Sequence, residues 1–258
     1  INKVVARKIK KKAAVTKTPK SKTVIQPIVP HVPQDYSFWK ESWLKASILF
    51  ILCGLLYFQG IDYGYVLDDV IVIKDNQFTS KGVAGVWDIL TNESMTGYFG
   101  EQKNLVQGSR YRPLSLVTFA LEVEAFGMSP RVGHINNIVF YGLTCMIIFW
   151  MLYLLLLKRD KNRDTFIGLA FITALIYTLH PVHTEAVANI KGRDEIMAML
   201  FSGLTVISVM HYANSKKLWQ LIIAVFMFFL GLLSKENTIT FLAIIPAAMY
   251  FFTSSKIE

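Results

Sequence analysis

The sequence predicts an all-α polytopic membrane protein with about six transmembrane helices, on the basis of three observations. The chain of 258 residues is 53% hydrophobic and 17% charged, whereas a soluble domain carries about 25% charged residues. Its apolar residues are concentrated in six separate runs, which is typical of helical membrane proteins. Clusters of charged and polar residues stand at the ends of these runs.

Residues 1–42 form the first element, a basic arm that is predicted to be disordered and cytoplasmic. The net charge is +9, and residues 1–45 hold eleven Lys or Arg against two Asp or Glu, so the whole excess lies in the arm and the three residues after it. Its four prolines favour an extended chain. An alternative role is contact with anionic lipid headgroups. Nucleic-acid binding is not expected, because no aromatic residue interleaves the lysine run and no binding fold follows.

The remaining residues, 43–258, are predicted to form a transmembrane domain with apolar runs at approximately 43–60, 135–157, 166–180, 196–212, 218–233 and 238–252. Several runs are shorter than the ~20 residues that a full span needs. Because their outer ends are polar, we expect the helices to continue into the headgroup region or to border a water-filled cavity. Cys53 and Cys145 fall inside two runs and are predicted to be buried small side chains.

The distribution of Lys and Arg predicts the orientation. Basic residues occur in the arm, in the 158–164 loop, in the 212–217 loop and at Lys256, and these segments alternate along the chain. The positive-inside rule therefore places all four, and the N-terminus, on the cytoplasmic side. The opposite side, periplasmic or lumenal, receives the large outer loop 61–134, the segment 181–195 and the short link 234–237.

The outer loop is predicted to carry two short helices that lie along the membrane surface. The first has an apolar stripe at helical spacing. The second opens with Pro113, which is favourable in a first helical turn. The stripe residues are Val83, Val86, Trp87 and Leu90 in the first helix, and Leu114, Val117, Leu121 and Phe126 in the second.

Asp68 and Asp69 are adjacent carboxylates flanked by apolar residues near a predicted membrane face. Charges in such a place are costly unless they are used or paired. One interpretation is a general base whose neighbour binds a metal or a substrate hydroxyl. The other is a helix cap or a loop turn, since Asp favours both. The residues alone leave both interpretations open.

Basic residues precede the second surface helix in the run Arg110-Tyr111-Arg112-Pro113. Arg112 beside a helix N-terminus could hold an anion such as phosphate through bidentate hydrogen bonds. The alternative is an interfacial arginine whose head reaches the headgroup region.

His180, His183 and Glu185 stand after the third run and could ligate a divalent metal. The spacing is not that of the zincins, and Pro181 is expected to break the helix between the imidazoles, so polar capping of a helix end is the alternative. The run Lys191–Glu195 and the pair Lys235-Glu236 are further charged clusters. They could border an anionic partner, or they could form a solvated edge and a local ion pair.

Five motifs together resemble the transmembrane and TPR-containing O-mannosyltransferase family, which belongs to the GT-C superfamily of polytopic glycosyltransferases. The resemblance runs from about Tyr65 to about Phe241. The motifs, in order, are Leu67-Asp68-Asp69, Tyr111-Arg112-Pro113-Leu114, His180-Pro-Val-His-Thr-Glu-Ala-Val-Ala188, Gly192-Arg193-Asp194-Glu195 and Ser234-Lys235-Glu236.

This resemblance implies a GT-C-like fold and transfer of a sugar, mannose or another hexose, from a polyprenyl-phosphate carrier to Ser/Thr hydroxyls of an extracytoplasmic acceptor protein. It implies that Asp68 or Asp69 is the base or a metal-binding acid. A divalent metal, Mg²⁺ or Mn²⁺, would involve Asp69 and Glu185. The candidate substrate and phosphate ligands are Arg110, Arg112, His183, Glu185, Arg193 and Lys235.

The family also implies a TPR array, which we expect beyond the end of this chain as part of a longer protein. Two other classes compete with the enzyme. A non-catalytic membrane scaffold that anchors a protein-interaction domain would tolerate loss of Asp68 and Asp69. A transporter commonly has charges near mid-bilayer and internal repeats, whereas the charges here cluster at one predicted face and no repeat is visible.

Overall fold

The computed structural model describes residues 36–100, 111–156 and 168–252, with side chains from residue 41 onward. Most of the predicted arm lies outside these ranges, and so do Arg110, the basic residues of 158–164 and Lys256. The all-α prediction is confirmed, because the described ranges consist of helices and the turns that join them, without a β-strand.

Ten α-helices occur in the described ranges: α1 (Tyr36–Tyr57), α2 (Val86–Thr91), α3 (Thr96–Phe99), α4 (Pro113–Phe126), α5 (Pro130–Leu156), α6 (Leu169–Leu179), α7 (His183–Ala188), α8 (Arg193–Ser215), α9 (Leu218–Ser234) and α10 (Phe241–Phe252). Shorter 3-10 segments cover Phe58–Asp62, Thr79–Gly85, Ile190–Gly192 and Glu236–Thr240, and one π-helical turn covers Val70–Lys74. Pro113 opens α4 as predicted, and α6 ends just before the His180-Pro181 step, where proline disfavours a helical residue ahead of it.

All six predicted apolar runs form helices over most of their described residues. In the described part of the chain, three helical stretches are long and apolar enough to cross a membrane, namely Glu41–Asp62, Pro130–Leu156 and Ile190–Ser215. The other three runs form the shorter apolar helices Leu169–Leu179, Leu218–Ser234 and Glu236–Phe252. Length and composition therefore define an all-α membrane protein, in agreement with the sequence prediction.

Helix α5 lies at the centre of the bundle and packs against α1, α6 and α8, while α8 also packs along α9. Small residues allow the close approaches, as they commonly do between membrane helices. A Cβ at Gly142 would lie 2.6 Å from the Phe50 ring, so any other residue would require that ring to shift. Cys53 and Cys145 are buried free cysteines whose sulfur atoms lie 3.6 Å apart between α1 and α5, which confirms the prediction of buried small side chains.

The outer loop has a hydrophobic core of its own, built where α2, α4 and the π-helical turn meet. Its buried members are Val72, Ile73, Ile89, Leu116, Phe119, Ala120 and Ile190. The predicted apolar stripes are divided between two faces. Val86 and Val117 pack against this core, Leu114 is half-buried, and the other five stripe residues are exposed, namely Val83, Trp87, Leu90, Leu121 and Phe126. Each short helix is thus apolar on two faces, and contact of the outward faces with a membrane surface stays a prediction.

Asn76 is the hydrogen-bonding centre of the outer loop. Its side-chain nitrogen donates to the carbonyls of Ile71 (3.3 Å) and Ser94 (3.2 Å). Its side-chain oxygen accepts from the backbone amides of Phe78 (3.0 Å) and Thr79 (3.2 Å). Because the residue is fully buried and all four positions of its amide group are used, it fixes the path of the loop.

Replacing Asn76 with alanine is expected to lower the free energy of unfolding by about 2–4 kcal/mol, because four backbone groups lose a buried partner. Thermal unfolding in detergent and limited proteolysis of the outer loop would measure the effect. Gln77→Ala, at an exposed neighbouring position, is the matched control and should change stability by less than about 0.5 kcal/mol. Equal protease resistance of the two variants would contradict this role for Asn76.

Candidate functional site

Asp69 is fully buried and joins the outer loop to the 3-10 segment that precedes α8. Its two carboxylate oxygens accept from the backbone amides of Lys191 (2.7 Å) and Val66 (3.2 Å). Burial raises the pKa of Asp69 above its ordinary value, although these two hydrogen bonds oppose the shift. Both oxygens are therefore engaged by the protein backbone.

Asp68 lies in a different environment from its neighbour. Its side chain is 45% exposed, and its carboxylate lies 3.9 Å from the Lys191 ammonium group. The preceding residue, Leu67, has a positive φ of 44°, a conformation that is uncommon outside glycine. After this turn the Asp68 carboxylate is open to solvent, whereas the Asp69 carboxylate is enclosed. Asp68 is therefore the more accessible acid.

Arg112 connects three segments that are distant in the sequence. Its Nε and Nη2 atoms donate to the two carboxylate oxygens of Glu236, at 2.9 and 2.5 Å, in the bidentate geometry that arginine favours. Its Nη1 donates to Asp194 at 2.7 Å. Burial alone would lower the pKa of Arg112, but these carboxylates raise it above the ordinary value. The guanidinium group that was expected to hold a phosphate thus holds two carboxylates in this conformation.

Two further cations complete the network. The Lys191 ammonium group lies 3.7 Å from Asp194 as well as beside Asp68, and Lys235 forms an ion pair with Glu195. The interpretation of Lys235 and Glu236 as a local ion pair was therefore wrong. Lys235 pairs with Glu195, and Glu236 pairs with Arg112. Burial lowers the pKa of Lys235, although nearby Asp194 opposes this. We call this set the outer polar cluster: Asp68, Asp69, Arg112, Lys191, Asp194, Glu195, Lys235 and Glu236.

The cavity beside the outer polar cluster is small. Arg112, Lys191 and Asp194 line it together with two serines, Ser94 and Ser115, and apolar residues of the outer loop. Its volume is about 20 Å³. A space of this size holds about one water molecule. A substrate phosphate would have to displace a carboxylate from Arg112 in order to bind there.

Arg193 is fully buried and belongs to a network between α4, α5 and α8. Its Nε donates to Asn137 (2.8 Å), and its Nη atoms donate to Thr118 (3.0 Å), to the Gly133 carbonyl (3.1 Å) and to both carboxylate oxygens of Glu122. All donors of the guanidinium group are thereby used. The phosphate-binding role of Arg193 stays a prediction, and in this conformation the side chain supports the fold.

His183 and Glu185 lie on α7, apart from the ion pairs of the cluster. The His183 ring is 4.2 Å from the Tyr177 ring and 5.6 Å from the Tyr141 ring, measured between centroids, and burial lowers the pKa of His183. Glu185 is exposed. No group of three or more His, Cys, Asp or Glu residues suited to a metal ion occurs within the described ranges.

The sequence predicted that Asp68, Asp69, Arg112 and Lys235 would lie on one side, and the structure brings them together. The charged run that contains Lys191 and Asp194 was noted, but their role as the link between the two halves of the cluster was not predicted. Asn137 and Glu122 were missed as partners of Arg193. The sequence feature that could have identified them is a polar residue within an otherwise apolar helix, because such a residue requires a buried partner.

The fold and the cluster define a helical membrane protein with a site shared between an outer loop and helix ends. Comparison with known proteins shows what the chain resembles. The chain is 34% identical to the human protein O-mannosyl-transferase TMTC1 over 163 residues, 63% of this chain and 17% of that protein. It is 28% identical to mouse TMTC3 over 216 residues (81% and 21%), and 30% identical to human TMTC4 over 222 residues (80% and 28%).

These similarities confirm the resemblance to the TMTC protein O-mannosyl-transferases over the part of the chain that they cover. The chain spans about a sixth to somewhat over a quarter of the length of these relatives. No protein-family model matches it, and no solved structure matches it.

Proposed function

We propose that this chain is the membrane part of a glycosyltransferase that moves a sugar, mannose or another hexose, from a polyprenyl-phosphate carrier to Ser/Thr hydroxyls of extracytoplasmic proteins. The protein would be multi-pass, with a cytoplasmic N-terminus and an active site on the periplasmic or lumenal side. The relatives, which are named protein O-mannosyl-transferases, support the transfer of mannose to protein.

The observation that carries the proposal is that the outer polar cluster contains an accessible carboxylate next to several cations. Asp68 is half-exposed and forms an ion pair with Lys191. Asp194 forms ion pairs with both Lys191 and Arg112. Glycosyl transfer from a lipid phosphate needs a base for the acceptor and positive charge for the leaving phosphate. The cluster holds both kinds of group within one contact network.

In the proposed reaction, the Asp68 carboxylate takes the proton of the acceptor hydroxyl. The hydroxyl oxygen forms a bond to the anomeric carbon, and the bond from that carbon to the carrier phosphate oxygen breaks. The phosphate leaves with the electron pair, and its charge would be stabilised by Arg112, Lys191 and Lys235. Arg112 would exchange Glu236 for the phosphate, since its donors are engaged by carboxylates in the described conformation.

The described residues do not fit a metal site at Asp69. Both Asp69 oxygens accept backbone hydrogen bonds, and no suitable group of three ligands surrounds it in the described part of the chain. We therefore assign Asp69 to positioning the outer loop, and no step of the proposed reaction runs through a metal ion.

The direct test uses the full-length protein reconstituted in lipid vesicles with a Ser/Thr-containing acceptor peptide. We expect mannose to appear on the peptide, measured by mass spectrometry, when polyprenyl-phosphate mannose is supplied. A nucleotide-activated mannose is the control donor and should not support transfer. Transfer from the nucleotide sugar would contradict the proposed donor. Absence of transfer from both donors would favour the alternative, a non-catalytic membrane scaffold that anchors a TPR domain.

A further inference from the structure

Glu236 occupies the guanidinium group of Arg112 in the geometry that a phosphate group would adopt. Its two carboxylate oxygens accept from Nε and Nη2 of Arg112, at 2.9 and 2.5 Å. Arginine binds carboxylates and phosphates through the same pair of parallel hydrogen bonds. This edge of the guanidinium group can hold only one such anion at a time, so Glu236 and a phosphate group compete for it.

The two carboxylates bound to Arg112 differ in how firmly they are held. The Asp194 side chain is 2% exposed, contacts the Lys191 ammonium group and accepts a backbone hydrogen bond in the first turn of α8. The Glu236 side chain is 64% exposed and extends from the five-residue 3-10 segment between α9 and α10. Water can hydrate the Glu236 carboxylate when it leaves Arg112, and rotation of an exposed side chain is fast. Glu236 is therefore the carboxylate that a phosphate displaces.

The charge of the outer polar cluster favours the lipid product over the lipid donor. The cluster contains the cations Arg112, Lys191 and Lys235. The carrier that leaves in the proposed reaction is a phosphate monoester with a charge of about −1.5 to −2 at neutral pH, whereas the phosphodiester donor has a single charge. The cations therefore attract the product more strongly than the donor, and release of product limits turnover in many enzymes.

We infer that Glu236 is an intramolecular competitor that weakens the binding of lipid-linked phosphate at Arg112 and thereby speeds release of the polyprenyl phosphate product. The identity of the lipid rests on the proposed function. Return of the Glu236 carboxylate to Arg112 displaces the product, and the apparent affinity for phosphate is reduced in proportion to the fraction of molecules in which Arg112 is free. Hydrogen bonds from Arg112 hold the pKa of Glu236 below its usual range, so the competitor is charged at neutral pH.

The test measures lipid binding to the full-length protein in detergent by native mass spectrometry. The two probes are polyprenyl phosphate and phosphatidic acid, which carries the same phosphate monoester on a different lipid. Glu236→Gln keeps the shape of the side chain but removes its charge. We expect the dissociation constants of both lipids to fall about fivefold, the size expected of one partly exposed ion pair. Asp62→Asn, which removes a carboxylate from the exposed ion pair with Arg131, is the matched control and should bind both lipids like the wild type.

Sugar transfer is measured on the same preparations. Glu236→Gln should lower KM for polyprenyl-phosphate mannose, lower kcat and strengthen inhibition by added polyprenyl phosphate, a combination that loss of a purely structural contact would not produce. Tighter binding with an unchanged kcat would overturn the role in product release.

Unchanged or weaker binding of both lipids by Glu236→Gln would overturn the inference, even if the wild type transfers sugar. Tighter binding of phosphatidic acid alone would overturn the proposed donor and leave the competition at Arg112 intact. Tighter binding of both lipids without any transfer by the wild type would overturn the proposed function alone.

Discussion

Arg193→Ala is expected to lower the free energy of unfolding by about 3–5 kcal/mol, the cost of removing one partner of a buried ion pair. The substitution leaves the mostly buried Glu122 carboxylate without its cation, and it removes the hydrogen bond that Asn137 Oδ1 accepts from Arg193. It also removes a cation that lies 4.3 Å from the centroid of the Phe119 ring. Since the guanidinium group joins α4, α5 and α8, the outer loop should separate from the helix bundle.

Thermal unfolding and size-exclusion profiles in detergent would measure this loss. Arg193→Lys should not restore stability, because an ammonium group cannot reproduce the planar set of five donors. Arg131→Ala, which removes a mostly exposed arginine at the start of α5, is the control and should behave like the wild type. A stable Arg193→Ala protein that has lost only sugar transfer would contradict the structural role and favour the phosphate-binding prediction.

Asp68→Asn is expected to reduce sugar transfer by about 10²–10⁴-fold, the usual contribution of a general base, while the melting temperature stays near that of the wild type. An amide has almost the shape of a carboxylate but cannot accept the proton of the acceptor hydroxyl. The side chain is half-exposed and its nearest cation is 3.9 Å away, so the change should cost little stability. Transfer to a Ser/Thr peptide, followed with unfolding curves on the same samples, would check both parts.

Asp69→Asn provides the contrast to Asp68→Asn. One of its two backbone donors would face an NH₂ group instead of an oxygen, so stability should fall by about 1–3 kcal/mol. Asp75→Asn, an exposed aspartate in the same loop, is the control for both substitutions. If Asp69→Asn kept its stability and lost transfer while Asp68→Asn remained active, the two acids would have exchanged the roles proposed here.

The sequence was sufficient to predict the helices of the bundle, because apolar runs in a chain with few charges have few alternatives to membrane helices. It was insufficient to predict which face of α4 is buried. Leu121 and Phe126 formed the expected apolar stripe, but Phe119 and Ala120 are the buried residues. A helix between a protein core and a membrane surface can be apolar on both faces, so periodicity alone does not identify the inward one.

The alternation of basic and non-basic loops along the chain was sufficient to predict that the polar motifs lie on one side. It was not sufficient to predict the role of each residue. Arg112 and Arg193 both precede apolar helical segments, yet one lies at the surface of a small cavity and the other is enclosed. The difference depends on Glu122 and Asn137, which reach Arg193 from 71 and 56 residues away. Such pairings depend on the tertiary fold, which local sequence patterns do not encode.

The sequence separation between Arg112 and its partners determines when the cluster can form during synthesis on the ribosome. Glu236 follows Arg112 by 124 residues and Asp194 follows it by 82. At about 5–20 residues per second, some 6–25 s of translation separate Arg112 from Glu236. Until Asp194 has been made, the arginine has to remain hydrated or be held by another anion, such as a lipid headgroup. Completion of the cluster is therefore a late event in biogenesis, after α8 and α9 have been made.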